Sequence, residues 1–291
     1  MADNFEEQYL LVLVPYDQVG VHYEPPPGRP DLPASVRVTP PPFANADAWT
    51  QAVRNDIIKI ANTKVGGALL RSIKYHGQVI TIRPKKVDDC NSGTFEGDLV
   101  SHGPNLDLTT GADIIFNPDT YLLGGKCETH HLQMGGFHIE SDETLVHELV
   151  HAFRKISEKL NHNKLGKGLS FYGDSEEFDA VLVQGIYASE RKKPIRSSHW
   201  HHFEIDKELN SSLKFFKSGT ETFKWVETFC RENQGFTKVI AQYDLGFNPI
   251  NSYYYDREQV RQLSRSATAQ RRDTTMPMAK SLVDFLKKEL N

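Results

Sequence analysis

A histidine pair one helical turn apart constrains this chain more than any other feature. His147 and His151 flank Glu-Leu-Val, and residues four apart in an α-helix project from the same face, so both imidazoles can bind one metal ion. Glu148 lies about 100° around the helix, beside the metal, where its carboxylate can take a proton from a metal-activated water. The surrounding residues are largely apolar, which predicts a buried helix in which imidazoles without partners would be costly. The pattern therefore indicates a zinc-binding helix.

Two helices are predicted around this motif. The first begins at Ser141, a favourable N-cap followed by two acids that suit the helix dipole, and runs to about Leu160. The second begins after Asp174, which forms a capping-box pattern with Glu177. The second helix carries three acidic side chains some 25 to 28 residues after His151.

A catalytic zinc needs a third protein ligand and an open position for water. The second helix offers Glu176, Glu177 and Asp179, and the combination of one HExxH helix with an acid from another helix is the gluzincin arrangement. The capping-box role of Glu177 competes with metal binding. All three acids are therefore candidates for the third ligand.

Histidines close to the motif offer fewer possibilities. The metzincin pattern requires a glycine and a histidine where this chain has Arg154 and Ser157, so that class of site is excluded. His162, past the end of the predicted helix, is a further candidate ligand.

Hydrolysis of a peptide bond passes through a tetrahedral intermediate, whose oxyanion needs a positive or hydrogen-donating group. Arg196 and His199 lie in a histidine-rich segment after the second helix and are our candidates for this role. The other donors that the sequence leaves open are Tyr172, His201 and His202.

The rest of the chain predicts an α+β fold, in which a twisted sheet packs over the zinc helix of a zincin-like metallopeptidase and the C-terminal part is mainly helical. Over residues 45–73 the pattern predicts a helix, a break at Gly66 and Gly67, and a second short helix. We expect the last predicted strand to edge the active-site cleft, where a strand edge can align an extended peptide. The predicted strands are residues 8–14, 78–84 and 111–118.

Composition shifts along the chain suggest three parts. Eight of the fifteen prolines lie in residues 25–42, which predicts an extended arm outside any sheet interior. We divide the chain into an N-terminal strand and proline-rich arm (residues 1–44), a zincin-like catalytic domain (45–205) and a helical C-terminal subdomain (206–291).

Charge and composition exclude several function classes. The 34 Lys and Arg against 38 Asp and Glu give a net charge of −4, so the chain as a whole does not attract nucleic acid or an anionic membrane. The longest apolar run is far shorter than the roughly 20 residues that span a bilayer, and three scattered cysteines form no disulfide framework. Because the N-terminus is acidic, we expect a cytoplasmic protein that is secreted or translocated without a cleavable signal peptide.

Three stretches, residues 111–118, 145–153 and 176–181, together resemble the NleD-like effector zinc metallopeptidases, and the similarity extends over residues 50–200. Members of that family are injected by bacterial pathogens into host cells, where they cleave host signalling proteins. The resemblance implies one zinc ion per chain, a protein substrate and action in another cell.

The acidic pair Glu176 and Glu177 also looks like that of the clostridial neurotoxin light chains, where the second acid binds zinc. This resemblance implies Glu177 as the third ligand. Those light chains add an arginine and a nearby tyrosine for the transition state. Arg196 matches the arginine, and His199 stands in place of the tyrosine, so both are kept as candidate donors.

These inferences together predict a single-zinc metalloendopeptidase that acts on a host or target-cell protein. An alternative from another class is an inactive or structural zinc protein that binds partners through its proline-rich arm and C-terminal helices. A third possibility keeps the zinc hydrolase but gives it a non-peptide amide or ester as substrate. The predicted site consists of the ligands His147, His151 and Glu177, the general base Glu148, and Arg196 and His199 at the oxyanion.

Overall fold

The computed structural model describes residues 11–13, 46–78, 80–84, 93–95, 111–118, 137–199, 220–255, 257 and 262. The proline-rich arm, His201 and His202 lie outside this part of the chain. None of the helices within it is long and apolar enough to cross a membrane. The elements in chain order are β1 (Leu11–Leu13), α1 (Ala46–Ala61), α2 (Lys64–Tyr75), β2 (Ile80–Arg83), β3 (Gly93–Phe95), β4 (Ala112–Ile115), α3 (Ser141–Ile156), a 3-10 helix (Lys167–Tyr172), α4 (Ser175–Glu190), α5 (Glu221–Glu232) and α6 (Gln234–Ile240), followed by a helical segment over residues 249–255.

The four strands form one mixed sheet in the order β1-β2-β4-β3. β1, β2 and β4 run parallel, and β3 is antiparallel to β4. Each of the three predicted strands contains an observed strand, β1 within residues 8–14, β2 within 78–84 and β4 within 111–118. The strand expected to edge the cleft, at residues 112–117, is β4, which pairs with β2 on one side and β3 on the other, so β3 takes the outer position of the described sheet on that side. β3 is only three residues long, too short for a periodic pattern to reveal it.

The two helices predicted over residues 45–73 are present, but the break between them lies before the two glycines and not at them. α1 ends at Ala61, and α2 begins after Thr63, whose Oγ1 accepts a hydrogen bond from the backbone N–H of Gly66 at 3.0 Å. Gly66 therefore lies in the first turn of α2 and does not interrupt a helix. A Cβ at this position would lie 2.3 Å from the carbonyl oxygen of Ile60, so a glycine is required where the chain turns from one helix into the next.

Helix α3 carries the histidine pair and is buried on most of its surface. Its N-cap is Glu140 instead of the predicted Ser141, and the backbone N–H of Glu140 donates to Oε2 of Glu143 at 2.8 Å. The helix ends at Ile156, one turn earlier than predicted, and Glu158 just beyond it has a left-handed φ of 57°. α3 packs along α4 and against β4 and β3, so the metal-binding motif lies between the sheet and a second helix.

One hydrophobic core joins the sheet, α1 to α4 and the C-terminal helices. The indole Nε1 of Trp49 on α1 donates to the carbonyl oxygen of Phe116, just after β4, at 3.1 Å. Phe229 on α5 and Phe236 on α6 are buried in the same core. Helices packed with a single mixed sheet make the fold α+β, as predicted. The division of the chain at residues 205 and 206 stays a prediction.

Candidate metal centre

Three donor atoms from α3 and α4 converge at one point. Nε2 of His147 lies 3.1 Å from Nε2 of His151 and 3.1 Å from Oε2 of Glu177. Nε2 of His151 lies 3.5 Å from the same Oε2. Ligand atoms about 2.0–2.2 Å from a tetrahedral ion are about 3.3–3.6 Å from each other, so these three atoms lie at or slightly below the spacing of ligands around one ion. Two imidazoles and a carboxylate are also a donor set that zinc takes.

The start of α4 directs Glu177 to this point. Oδ1 of Asp174, the N-cap, accepts hydrogen bonds from the backbone N–H groups of Glu176 and Glu177 at 2.9 and 3.0 Å. Half of the predicted capping box is thus present. The carboxylate of Glu177, which would supply the other half, faces the imidazoles of His147 and His151. The local sequence therefore starts the helix, while the packing of α4 on α3 decides where this carboxylate points.

The two imidazoles of the motif differ in their preferred charge. Burial lowers the pKa of His147 to about 4, so this ring is neutral at pH 7, the charge state in which an imidazole binds a metal. Burial also opposes a charge on His151, but hydrogen bonds to Glu176 and Glu177 outweigh it and raise the pKa of His151 to about 10. Burial opposes ionisation of Glu177 as well, and the hydrogen bonds from both histidines nevertheless lower its pKa. The carboxylates of Glu176 and Glu177 therefore favour a positive charge at this point. Either a proton on His151 or a bound metal ion can provide that charge.

The other two acids on α4 point away from the imidazole Nε2 atoms. Nε of Arg154 donates to both carboxylate oxygens of Glu176, at 2.9 and 2.8 Å, and the backbone N–H of Asn161 donates to one of them at 3.2 Å. Asp179 is buried, with its Oδ2 3.3 Å from Nη2 of Arg154. Of the three candidate acids, Glu177 is the one whose carboxylate meets Nε2 of both His147 and His151.

His199 also reaches the carboxylate of Glu177. Its Nε2 is 3.2 Å from Oε2 of Glu177, and its ring stacks on that of His147 with centroids 5.6 Å apart and planes 9° apart. Burial lowers the pKa of His199 to about 4. His147, Glu177 and His199 also offer a ligand atom each within 4.8 Å of one another, so His199 can reach an ion held by the first two.

Arg196 is buried behind His199. Its Nη2 donates to the carbonyl oxygen of His199 at 2.6 Å, and its Nε donates to that of Ser198 at 2.8 Å. Its Nη1 donates to Oε1 of Gln184 on α4 at 3.1 Å. These bonds fasten the backbone of residues 198–199 to α4, so the guanidinium orients the segment that carries His199.

The remaining candidates are spread around the centre. Glu148 is buried on α3 between the two histidines. Tyr172 is buried at the end of the 3-10 helix, where burial raises the pKa of its hydroxyl. His162 is 60% exposed, and its Nδ1 contacts Oδ2 of Asp174 at 2.8 Å, so it lies at the outer end of the helix cap and not with the imidazoles.

Sequence reasoning missed the part played by Arg154. In the sequence Arg154 serves only to exclude the metzincin pattern, whereas in the structure it is the main partner of Glu176. The signal was present, because a charged residue inside an apolar helix is rarely buried without a partner. The identity of that partner could not be read, since Glu176 is 22 residues away along the chain.

The sequence was compared with known protein families, curated proteins and solved structures, and it matches one family. Residues 42–185 match the family model Peptidase_M91, whose description is "Effector protein". The matched segment contains His147, His151 and Glu177 but ends before Arg196 and His199. No curated protein and no solved structure matches the chain.

Proposed function

Because residues 42–185 belong to the Peptidase_M91 family of effector proteins, we propose that the chain is a zinc-dependent metalloendopeptidase. It hydrolyses a peptide bond of a host or target-cell protein after translocation into that cell. One observation carries the proposal: Nε2 of His147, Nε2 of His151 and Oε2 of Glu177 lie 3.1 to 3.5 Å from one another, the spacing of ligands around one ion. The α+β fold around them is, on this proposal, zincin-like.

His147, His151 and Glu177 are the ligands in this proposal. Zinc, when bound, polarises the scissile carbonyl and lowers the pKa of a water molecule. The carboxylate of Glu148, buried next to His147 on α3, takes the proton of the attacking water and passes it to the leaving amine nitrogen. The low dielectric around this carboxylate makes its charge effective in holding the proton during the transfer.

His199 is the favoured donor to the oxyanion. Its Nε2 lies beside the ligand Glu177, and the hydrogen bonds from Arg196 to residues 198 and 199 fix the position of its backbone. Arg196 is committed to those carbonyl oxygens and to Gln184, so we assign it the task of orienting His199. The backbone of β3, at the outer position of the sheet beside α3, offers an edge on which an extended substrate can pair.

The position of His199 also supports a second candidate function. If its Nε2 bound the metal together with His147, His151 and Glu177, the site would have four protein ligands, as structural zinc sites do, and no position for water. The protein would then act by binding partners. Zinc binding without proteolysis is the behaviour that separates this candidate from the peptidase.

A substitution of the general base tests the proposed function. Wild type, Glu148→Gln and the exposed control Glu158→Gln are each loaded with zinc, and their metal content is measured by mass spectrometry. Each is then incubated with a eukaryotic cell lysate, and new protein N-termini are identified by mass spectrometry. We expect equal zinc in all three proteins and new N-termini with wild type and Glu158→Gln only, because loss of a general base lowers turnover by about 10²–10⁴-fold.

Two results would contradict the proposal. Cleavage by Glu148→Gln at the wild-type rate would rule out the mechanism. Bound zinc with no cleavage of any protein by wild type would favour the structural zinc protein instead.

A further inference from the structure

A charged cluster, buried except for one partly exposed glutamate, lies behind the proposed metal site. We define it as Arg154, Glu176, Asp179 and Glu232. Nδ1 of His151, the ring nitrogen opposite the one that faces Glu177, is 3.5 Å from Oε1 of Glu176. The side chains of Arg154 and Glu176 are each only 1% exposed, so the contact is shielded from water.

Arg154 is held from several sides. Besides the two bonds from its Nε to Glu176, its Nη2 donates to the carbonyl oxygen of Lys159 at 2.7 Å and its Nη1 donates to Oε2 of Glu232 at 3.2 Å. Its guanidinium also lies over the ring of Phe229, 5.7 Å from the centroid. Because Lys159 follows α3 and Glu232 ends α5, the position of Arg154 is set by two separate parts of the chain.

An imidazole that binds a metal through one nitrogen is oriented by the acceptor on its other N–H, and such acceptors raise the basicity of the ligand. Glu176 is placed to be that acceptor for His151. His147 differs, because its buried Nδ1 has no hydrogen-bond partner in the described part of the chain. Orientation by a carboxylate is therefore a feature of His151 in particular.

We infer that Glu176 and Arg154 are positioning residues, which hold the ring of His151 in its metal-binding orientation, and that Glu232 on α5 supports them. The inference rests on the proposed function, since it takes His151 to be a metal ligand. It adds that the metal site depends on α5, which lies outside the segment that matches the family. The chain of contacts runs from Glu232 through Arg154 and Glu176 to His151.

A purely structural ion pair between α3 and α4 is the alternative explanation of Arg154 and Glu176. Such a pair would affect the stability of the metal-free protein but would not change the ligand field of a bound metal. Metal affinity and a metal spectrum therefore separate the two explanations, and neither requires a known substrate.

The experiment compares wild type, Glu176→Gln and Glu227→Gln. Glu227 lies on α5 and contacts Arg257 at 3.7 Å, so it controls for loss of a carboxylate on that helix. Zinc affinity is measured by competition with a chromophoric chelator, and Co²⁺ is substituted to record the visible absorption spectrum. We expect Glu176→Gln to bind zinc about 10–100-fold more weakly and to show an altered Co²⁺ spectrum, with Glu227→Gln unchanged in both.

Glu232→Gln keeps the inference testable if Glu176→Gln does not fold, because the Glu232 side chain is 29% exposed. We expect Glu232→Gln to weaken zinc binding by less than the ~10-fold expected when a direct partner of His151 is replaced. Wild-type affinity and spectrum in folded Glu176→Gln would overturn the inference alone, and wild-type affinity in Glu232→Gln would overturn the contribution of α5. Failure of the wild-type protein to bind zinc would overturn the proposed function and this inference together.

Discussion

Adjacent glutamates at the start of α4 have different surroundings. Successive residues of a helix point about 100° apart, so Glu177 faces the Nε2 atoms of the histidine pair while Glu176 reaches Arg154 and Nδ1 of His151. Glu176 is fully buried, whereas the side chain of Glu177 is 27% exposed, as a ligand at the floor of a cleft would be. Glu176 and Glu177 are chemically identical, so their different roles follow from the direction in which each carboxylate points.

Replacing His199 distinguishes its two possible tasks. If His199 donates to the oxyanion, His199→Ala keeps one zinc per chain and lowers turnover by about 10²–10³-fold, as loss of one such donor does. Zinc content by mass spectrometry and the rate of cleavage of a substrate found in the lysate measure the two effects. His162→Ala removes an exposed imidazole away from the site and is the matched control. Loss of zinc in His199→Ala would instead identify His199 as a fourth ligand.

At the scale of elements, polar contacts join the start of α3 to the end of α4. Asp142 accepts hydrogen bonds from the hydroxyl of Tyr187, at 2.6 Å, and from Arg191. Glu140 accepts from Arg191 and Lys193. Because α3 and α4 carry the proposed ligands, these contacts at the far end of the pair help to fix the angle at which the ligands meet.

Glu143, in the first turn of α3, makes stability depend on pH. Burial raises its pKa from 4.5 to about 7, so the folded state binds a proton more tightly than the unfolded state does. The contribution of Glu143 to the free energy of unfolding should therefore fall as the pH rises from about 4.5 to about 7. Glu143→Gln should lack this fall and be more stable than wild type at pH 8, as measured by urea denaturation at pH 5 and pH 8.

Glu140→Gln is the control with the opposite sign. Burial opposes ionisation of Glu140, but hydrogen bonds from Lys193 and Arg191 outweigh it and lower its pKa to about 2. Its contribution to stability is present above pH 4.5 and is lost as the pH falls toward 2. This variant should therefore be less stable than wild type by the same amount at pH 5 and pH 8, and the difference should disappear only as the pH falls toward 2. Identical pH dependence of wild type and Glu143→Gln would contradict the role given to Glu143.

At the scale of the whole molecule, the C-terminal helices share the core of the metal site. Phe229 on α5 is fully buried, contacts the ring of Phe236 on α6 and lies under the guanidinium of Arg154. α5 packs on α4, and α6 packs on α2. We therefore expect the described helices and the sheet to unfold in one cooperative transition.

Phe229→Ala tests this cooperativity. Removal of a buried phenylalanine side chain should lower the free energy of unfolding by about 3–5 kcal/mol and shift the whole transition. Phe171→Ala, at a position that is 40% exposed, should have an effect of about 0.5 kcal/mol or less. Calorimetry that shows two transitions, with only the smaller one shifted by Phe229→Ala, would mean that the C-terminal helices form a unit of their own.

Features that depend on residues one helical turn or less apart could be predicted from the sequence. The helix that carries His147 and His151, the cap at Asp174 and the three predicted strands that precede the motif all follow from local periodicity and capping. The exact ends of the helices could not be predicted from the sequence. The N-cap of α3 depends on a hydrogen bond of Glu143, and the start of α2 depends on the close approach of Gly66 to α1. β3 was not predicted, because a three-residue strand has almost no periodic pattern of its own.

The sequence by itself determined the α+β composition of the chain and the two imidazoles on one face of a helix, since both follow from spacings of a few residues. Tertiary structure decided which acid meets those imidazoles, where His199 lies and that α5 reaches the site through Arg154. These contacts join residues 22 to 78 positions apart along the chain. They depend on the packing of α3, α4 and α5 in one core, and no local spacing encodes the direction in which two packed helices face each other.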